Sequence, residues 1–258
     1  MKLDGKTALV TGGAVRIGRA ICEALADRGC NLVIHYHHSG NEAKKFAAQL
    51  KAKGLKTFLV SGNLSSDSGC RAVISAAVKK AGRLDVLINN AAVFHKDGLM
   101  SVTSGKFMRE MEINFLAPML LTREFSQRIM KETKREKKDV SGKVVNLLDR
   151  RITGSESDCL PYLLSKKMLA EFTKSSALQL APYITVNGVA PGAILAPPRH
   201  AGTGSRTRDF AGNIPLGRKC TPGDVADAVV FLLESDGITG QVVFVDGGQH
   251  LLGNVQND

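Results

Sequence analysis

Thr7-Ala8-Leu9-Val10-Thr11-Gly12-Gly13-Ala14-Val15-Arg16-Ile17-Gly18 decides how this chain is read. Four residues suited to a buried strand run into a glycine turn, and the turn opens onto a helical stretch. The glycines let backbone come close to a ligand. The helix behind them directs its free N–H groups and positive dipole end at the same spot. Strand, glycine turn and helix in that order predict a dinucleotide phosphate site within a β-α-β unit.

Outward from this turn, short apolar runs alternate with amphipathic stretches. The predicted strands are 7–11, 31–36, 56–61, 86–89, 143–148, 185–189 and 242–245, with helices between them. Strands rich in Val, Ile and Leu imply a parallel sheet covered on both faces, and right-handed crossovers make it doubly wound. The expected fold is α/β: a single doubly wound Rossmann domain over residues 1–258, with a parallel seven-stranded sheet. In such a sheet the ligand lies at the carboxyl ends of the strands. A Gly/Ser/Arg-rich stretch, 201–212, reads as a loop or lid ahead of a helix opening near Thr221-Pro222-Gly223-Asp224.

Composition narrows the function classes. With 258 residues and 43% hydrophobic content, the chain can bury a full core. Five cysteines (Cys22, Cys30, Cys70, Cys159, Cys220) show no CxxC or Cys/His ligand spacing and form an odd set. A disulfide framework is therefore not expected, no metal site is expected, and a reducing cytoplasmic setting is. No signal peptide is read at the start, and no apolar run reaches the roughly 18 residues of a membrane span. The net charge of +11 is concentrated partly in the run from Lys131 to Lys143, read as a solvated surface. Without Trp and with three Tyr, the chain lacks the interleaved aromatics of a nucleic-acid surface, so no nucleic-acid partner is expected. Positive potential would instead draw in a polyanionic small molecule.

The end of the second strand selects the cofactor. An NAD enzyme places a carboxylate there for the ribose 2′-hydroxyl, whereas this chain reads His35-Tyr36-His37-His38-Ser39. Arg16 with Ser39 and His38 would bind a 2′-phosphate, which points to NADP(H). Farther along, Tyr162 and Lys166 stand four residues apart on one predicted helix face, and Asp149 arrives at the end of the preceding strand. A phenol, a cation and a carboxylate together read as a proton-delivery site.

These pieces, taken in order, resemble the short-chain dehydrogenase/reductase family over nearly the whole chain. They are the Thr11–Gly18 turn, Asn63-Leu64, Asn89-Asn90-Ala91-Ala92, Asn114 with Pro118, Tyr162/Lys166, Pro191-Gly192, Ile238-Thr239-Gly240 and Val245-Asp246-Gly247-Gly248. The resemblance implies that Gly12, Arg16, Ile17, Gly18, Asn63, Leu64, Asn90, Ala91, Pro191 and Gly192 border the cofactor. It also implies that Asn114 steadies a relay water near Lys166, and that the protein is a homotetramer. Most members carry glycine at Arg16 and serine at Asp149. An Arg in the turn, a His-Tyr-His segment and an Asp-Tyr-Lys set instead resemble the pteridine, dihydromonapterin and dihydrofolate reductase branch. There Phe94, four residues after Asn90, falls where an aromatic ring stacks on the pterin.

The chemistry expected from these residues is hydride transfer from NADPH to a C=N bond of a pterin lying flat against Phe94, with Arg16 on its polar edge. Lys166 should lower the Tyr162 phenol toward the operating pH, making it a usable acid. Asp149 is expected to be protonated, to orient Tyr162, or to relay a proton through water. A carbonyl reductase acting on a ketone, quinone or 3-oxoacyl thioester is the alternative, and a non-catalytic NADPH-binding regulator ranks below it.

Overall fold

The computed structural model describes residues 1–136, 142–194 and 214–252. Its strands are β1 (Thr7–Val10), β2 (Asn31–Tyr36), β3 (Thr57–Ser61), β4 (Val86–Asn89), β5 (Gly142–Leu147), β6 (Ile184–Pro191) and β7 (Val242–Val245). All pair in parallel in one sheet of order β3-β2-β1-β4-β5-β6-β7. The helices are α1 (Arg16–Ala26), α2 (Gly40–Ala52), α3 (Asp67–Ala81), α4 (Ser104–Met111), α5 (Ala117–Glu136), α6 (Leu160–Leu180) and α7 (Pro222–Glu234). A π-helical turn, Glu112–Leu116, joins α4 to α5.

Strand periodicity explains how the two faces are covered. Ala8, Val10, Leu32, Ile34, Val86 and Ile88 pack with α1, α2 and α7 through Ile21, Phe46 and Val229. The alternate residues Leu9, Val33 and Leu87 pack against α3 and α5 through Ile74, Leu121 and Phe125. Successive side chains point to opposite faces, so a strand buried on both sides is apolar throughout. β6 extends past its predicted end because Ala190 and Pro191 pair with Phe244 and Val245 of β7.

The strand order reverses between β1 and β4, opening a crevice at their carboxyl ends. The glycine turn after β1 and the Asn90-Ala91 loop after β4 meet there. One polar pair interrupts the hydrocarbon of the central strands. Asn89 of β4 lies opposite Asn146 of β5 and donates to its Oδ1 at 2.8 Å, and Asn146 donates to Thr173 Oγ1 of α6 at 2.9 Å.

One surface reading needs correcting. Lys143, at the end of the basic run, is buried, and its Nζ binds the Ser235 carbonyl at 2.7 Å and Asp236 at 2.8 Å. It is the second residue of β5, so the sheet carries it inward, where it satisfies the end of α7. The 201–212 stretch lies outside the described residues. The helix predicted after it does begin with a capping box between Thr221 and Asp224.

Candidate active site

The glycine turn is fixed by neutral partners. Thr11 Oγ1 donates to the Ile88 carbonyl at 3.2 Å and accepts the N–H groups of Asn90 and Ala91, each at 2.9 Å. Asn90 Nδ2 donates to the carbonyls of Thr11 at 2.7 Å and Gly12 at 3.3 Å. Thr11 thus ties the ends of β1 and β4 together, a role its place ahead of the glycines does not announce. Gly18 lies so close that a Cβ there would collide with the Gly12 carbonyl oxygen. Gly12 itself has φ +62°, and Arg16 has φ +54°, the left-handed region that favours glycine. An L side chain at such a φ costs about 1–2 kcal/mol, so Arg16 occupies a position whose backbone favours glycine.

His35, grouped by sequence with the cofactor contacts, turns inward. Its ring is buried; Nδ1 accepts the Gly12 N–H at 3.3 Å and Nε2 meets the Gly62 carbonyl at 3.1 Å. Those partners require a proton on Nε2 and none on Nδ1. Burial pushes its pKa down to about 4, against the Gly62 bond and helped by His37, so the ring is neutral at pH 7. His35 braces the turn from behind. His37 and His38 are exposed with rings 3.8 Å apart, and Tyr36 and Ser39 are half-buried beside them. Asn63 is exposed and accepts the Ser65 N–H at 3.1 Å, whereas Leu64 is buried in the core. Gly192 donates to the Val245 carbonyl at 3.0 Å, holding the Pro191-Gly192 corner against β7.

This end fits a nucleotide. The first turn of α1 has no acidic residue, and Val15 provides no side-chain cap. No carboxylate stands between Tyr36 and Ser39. Phosphate oxygens would meet the N–H groups of the turn and the Arg16 guanidinium.

On the other side of the crevice, Tyr162 Oη donates to Asp149 Oδ2 at 3.0 Å. Asp149 also accepts the Arg151 N–H at 2.9 Å and Arg151 Nη1 at 3.1 Å. Asp149 therefore both caps the short 3-10 turn Arg150–Thr153 and holds the tyrosine. Lys166 is buried, and its Nζ donates to the Leu147 carbonyl at 2.6 Å, 5.8 Å from the Tyr162 ring centre. Burial pushes Lys166 down to about 8, opposed by Asp149 and Glu110. The expected lowering of the phenol is not what these groups produce. Burial first, and then the Asp149 charge and hydrogen bond, raise Tyr162 well above its ordinary value. Tyr162 is held as a proton donor.

Phe94 is no core residue: it is 40% exposed and meets Tyr162 edge-on, with ring centres 4.8 Å apart. Asn114, in the π-helical turn, is fully buried. Its carboxamide is committed to Val93, Glu110 and Ser165, and it makes no side-chain hydrogen bond to Tyr162 or Lys166. Glu110 and Arg151 escape a reading of motifs, although Glu110 stands one helical turn before Asn114 on the same face.

Fold and crevice together define a nucleotide-dependent oxidoreductase. A family model described as enoyl-(acyl carrier protein) reductase matches residues 13–250. The chain belongs to this short-chain dehydrogenase/reductase family and is an oxidoreductase. It is 33% identical over 249 residues to the 3-oxoacyl-[acyl-carrier-protein] reductase FabG of Staphylococcus aureus, covering 95% of this chain and 98% of that one. Pteridine reductase 1 of Leishmania tarentolae is 32% identical over 280 residues, covering 95% and 96% respectively. The crystal structure of FolM alternative dihydrofolate reductase 1 from Brucella canis, complexed with NADP, superposes with a TM-score of 0.85 at 31% identity. It covers 97% of this chain and 96% of that one.

Proposed function

We propose that this protein is an NADPH-dependent pterin reductase that delivers hydride to a C=N carbon of a dihydropterin or pterin and a proton to the ring nitrogen. The observation that carries the reading is the Tyr162–Asp149 hydrogen bond, with Phe94 beside it. A ketone reductase needs a second donor at the substrate oxygen, whereas Asp149 is occupied here as an acceptor. A ring nitrogen arriving against the pair takes its proton at Tyr162 Oη. Asp149 Oδ2 fixes the hydroxyl's direction, and the phenolate left by the transfer takes its replacement proton from water, directly or relayed through Asp149. Phe94 offers a flat apolar face for a heteroaromatic ring.

NADPH, when bound, supplies the hydride. Gly12, Ile17 and Gly18 border its phosphates, while Arg16, His37, His38 and Ser39 favour a 2′-phosphate over a bare hydroxyl. Asn63, Leu64, Asn90, Ala91, Pro191 and Gly192 border the rest. Lys166 supports the acid from behind, and Asn114 would steady a relay water near Lys166. We further propose one domain over the whole chain, a cytoplasmic setting and a homotetramer.

The test is NADPH oxidation against dihydrobiopterin, dihydromonapterin, dihydrofolate, a quinone and an acetoacetyl thioester, with NADH as control. Pterin turnover that collapses in Asp149→Asn supports the reading; full pterin turnover in that variant removes Asp149 from the proton path. A 3-oxoacyl thioester is the second reading, favoured by the FabG relative at comparable identity. Turnover of the thioester alone selects it.

A further inference from the structure

The loop after β4 carries Phe94, and residues 90–98 contain no helix or strand. A ring on such a segment stays in place only if something fixes the backbone on both sides of it. Two buried side chains do this, one helical turn apart. On the near side, Asn114 Oδ1 accepts the Val93 N–H at 2.9 Å and Asn114 Nδ2 donates to the Val93 carbonyl at 2.9 Å. On the far side, Glu110 Oε1 accepts the His95 N–H at 2.9 Å and meets His95 Nδ1 at 2.7 Å. The clamps are joined, because Asn114 Nδ2 donates to Glu110 Oε2 at 2.6 Å.

We propose that Glu110 is a positioning residue for the substrate ring: with Asn114 it clamps the backbone on either side of Phe94 and sets that ring against Tyr162. The proposal rests on the reading that a flat substrate stacks on Phe94. Position 110 needs a carboxylate for a specific reason. One oxygen accepts two donors from His95 while the other accepts from Asn114, and a glutamine would turn an NH2 group toward the Asn114 NH2. Glu110 is 1% exposed, so a mismatched donor there has no water to turn to. Burial raises its pKa, and the His95 and Asn114 contacts oppose that rise.

Glu110→Gln keeps shape and changes only the donor pattern. In the protein without substrate, hydrogen exchange at residues 92–97 should speed up, since the Val93 and His95 amides are the clamped donors. KM for the substrate should rise about ten-fold with a smaller change in kcat, because a displaced stacking face weakens placement. The NADPH dissociation constant, read from its fluorescence, should not move. In a Phe94→Ala background the substitution should add almost nothing to KM, because Glu110 acts through that ring. Should Glu110→Gln not fold, His95→Ala removes part of the far clamp and should shift exchange and KM in the same direction. Unchanged exchange, or KM effects that simply add in the Phe94→Ala background, overturns the proposal. The cycle is run on whichever substrate the panel identifies. A ketone-only enzyme with accelerated exchange would refute the pterin reading and leave the clamp standing.

Discussion

Thr11, His35 and Asn90 hold the glycine turn through neutral groups bonded to backbone, whereas Asp149, Arg151, Lys166 and Glu110 build the opposite wall from ionisable side chains. The difference follows what each wall must do. Phosphates bring their own charge, so the turn can meet them with aligned N–H groups and the Arg16 cation. Proton delivery needs groups whose protonation is set by burial and by one another.

The comparison breaks most sharply at Tyr162. Replacing it with Phe keeps the ring beside Phe94 and should cut turnover by about 10²–10⁴, while NADPH affinity, measured by fluorescence titration, stays within a factor of two or so. A matching loss of NADPH affinity would mean that the two walls are not separable.

The next effect should appear at the other wall. His35→Leu leaves the Gly12 N–H and Gly62 carbonyl unpaired and should cost about 1–3 kcal/mol at pH 7, with weaker NADPH binding. It should also flatten the acid limb of stability. The folded His35 pKa of about 4 lies below its unfolded value of 6.5, so the unfolded chain binds the extra proton between them. Native stability is full above about pH 6.5 and falls toward pH 4, by on the order of 3 kcal/mol. Urea melts of both proteins across that range check it.

The smallest expected effect sharpens the contrast on the alkaline side. Lys166 titrates near 8 in the fold and near 10.5 ordinarily, so unfolding takes up a proton between these values and stability climbs with pH. Relative to Lys166→Met, the native protein should gain on the order of 2 kcal/mol between pH 8 and 9.5. Parallel melts of the two proteins would deny the buried cation.

The seven strands were legible because each apolar run is bounded by turn residues and separated by a helical period; β4 and β7 keep their predicted ends. The Asp149, Tyr162 and Lys166 grouping was legible because two of the three share a helix face. Glu110 was not, since a glutamate in Lys106-Phe107-Met108-Arg109-Glu110 reads as solvent-facing until the 93–97 loop folds over it. His35 misled for the opposite reason: its strand-end position suggests a ligand contact, but the alternation that buries Val33 and Ile34 on opposite faces also leaves His35 beneath the turn. The Tyr162 shift depends on burial and on Asp149, both tertiary facts.

The Asn89–Asn146 pair has a consequence for how this sheet finds its alignment. Hydrocarbon covers both faces of β4 and β5, so greasiness alone penalises a slipped pairing weakly. Sliding β4 by one residue would set Asn146 against Ile88, deprive Asn146 Oδ1 of its donor and carry the Asn89 amide away from Asn146 and Thr122, at about 1–3 kcal/mol for each unpaired group. The pair acts as a key cut for one register, and at that register Asn90 and the Leu148-Asp149 corner emerge at the same height, on the rim where the two halves of the site must meet.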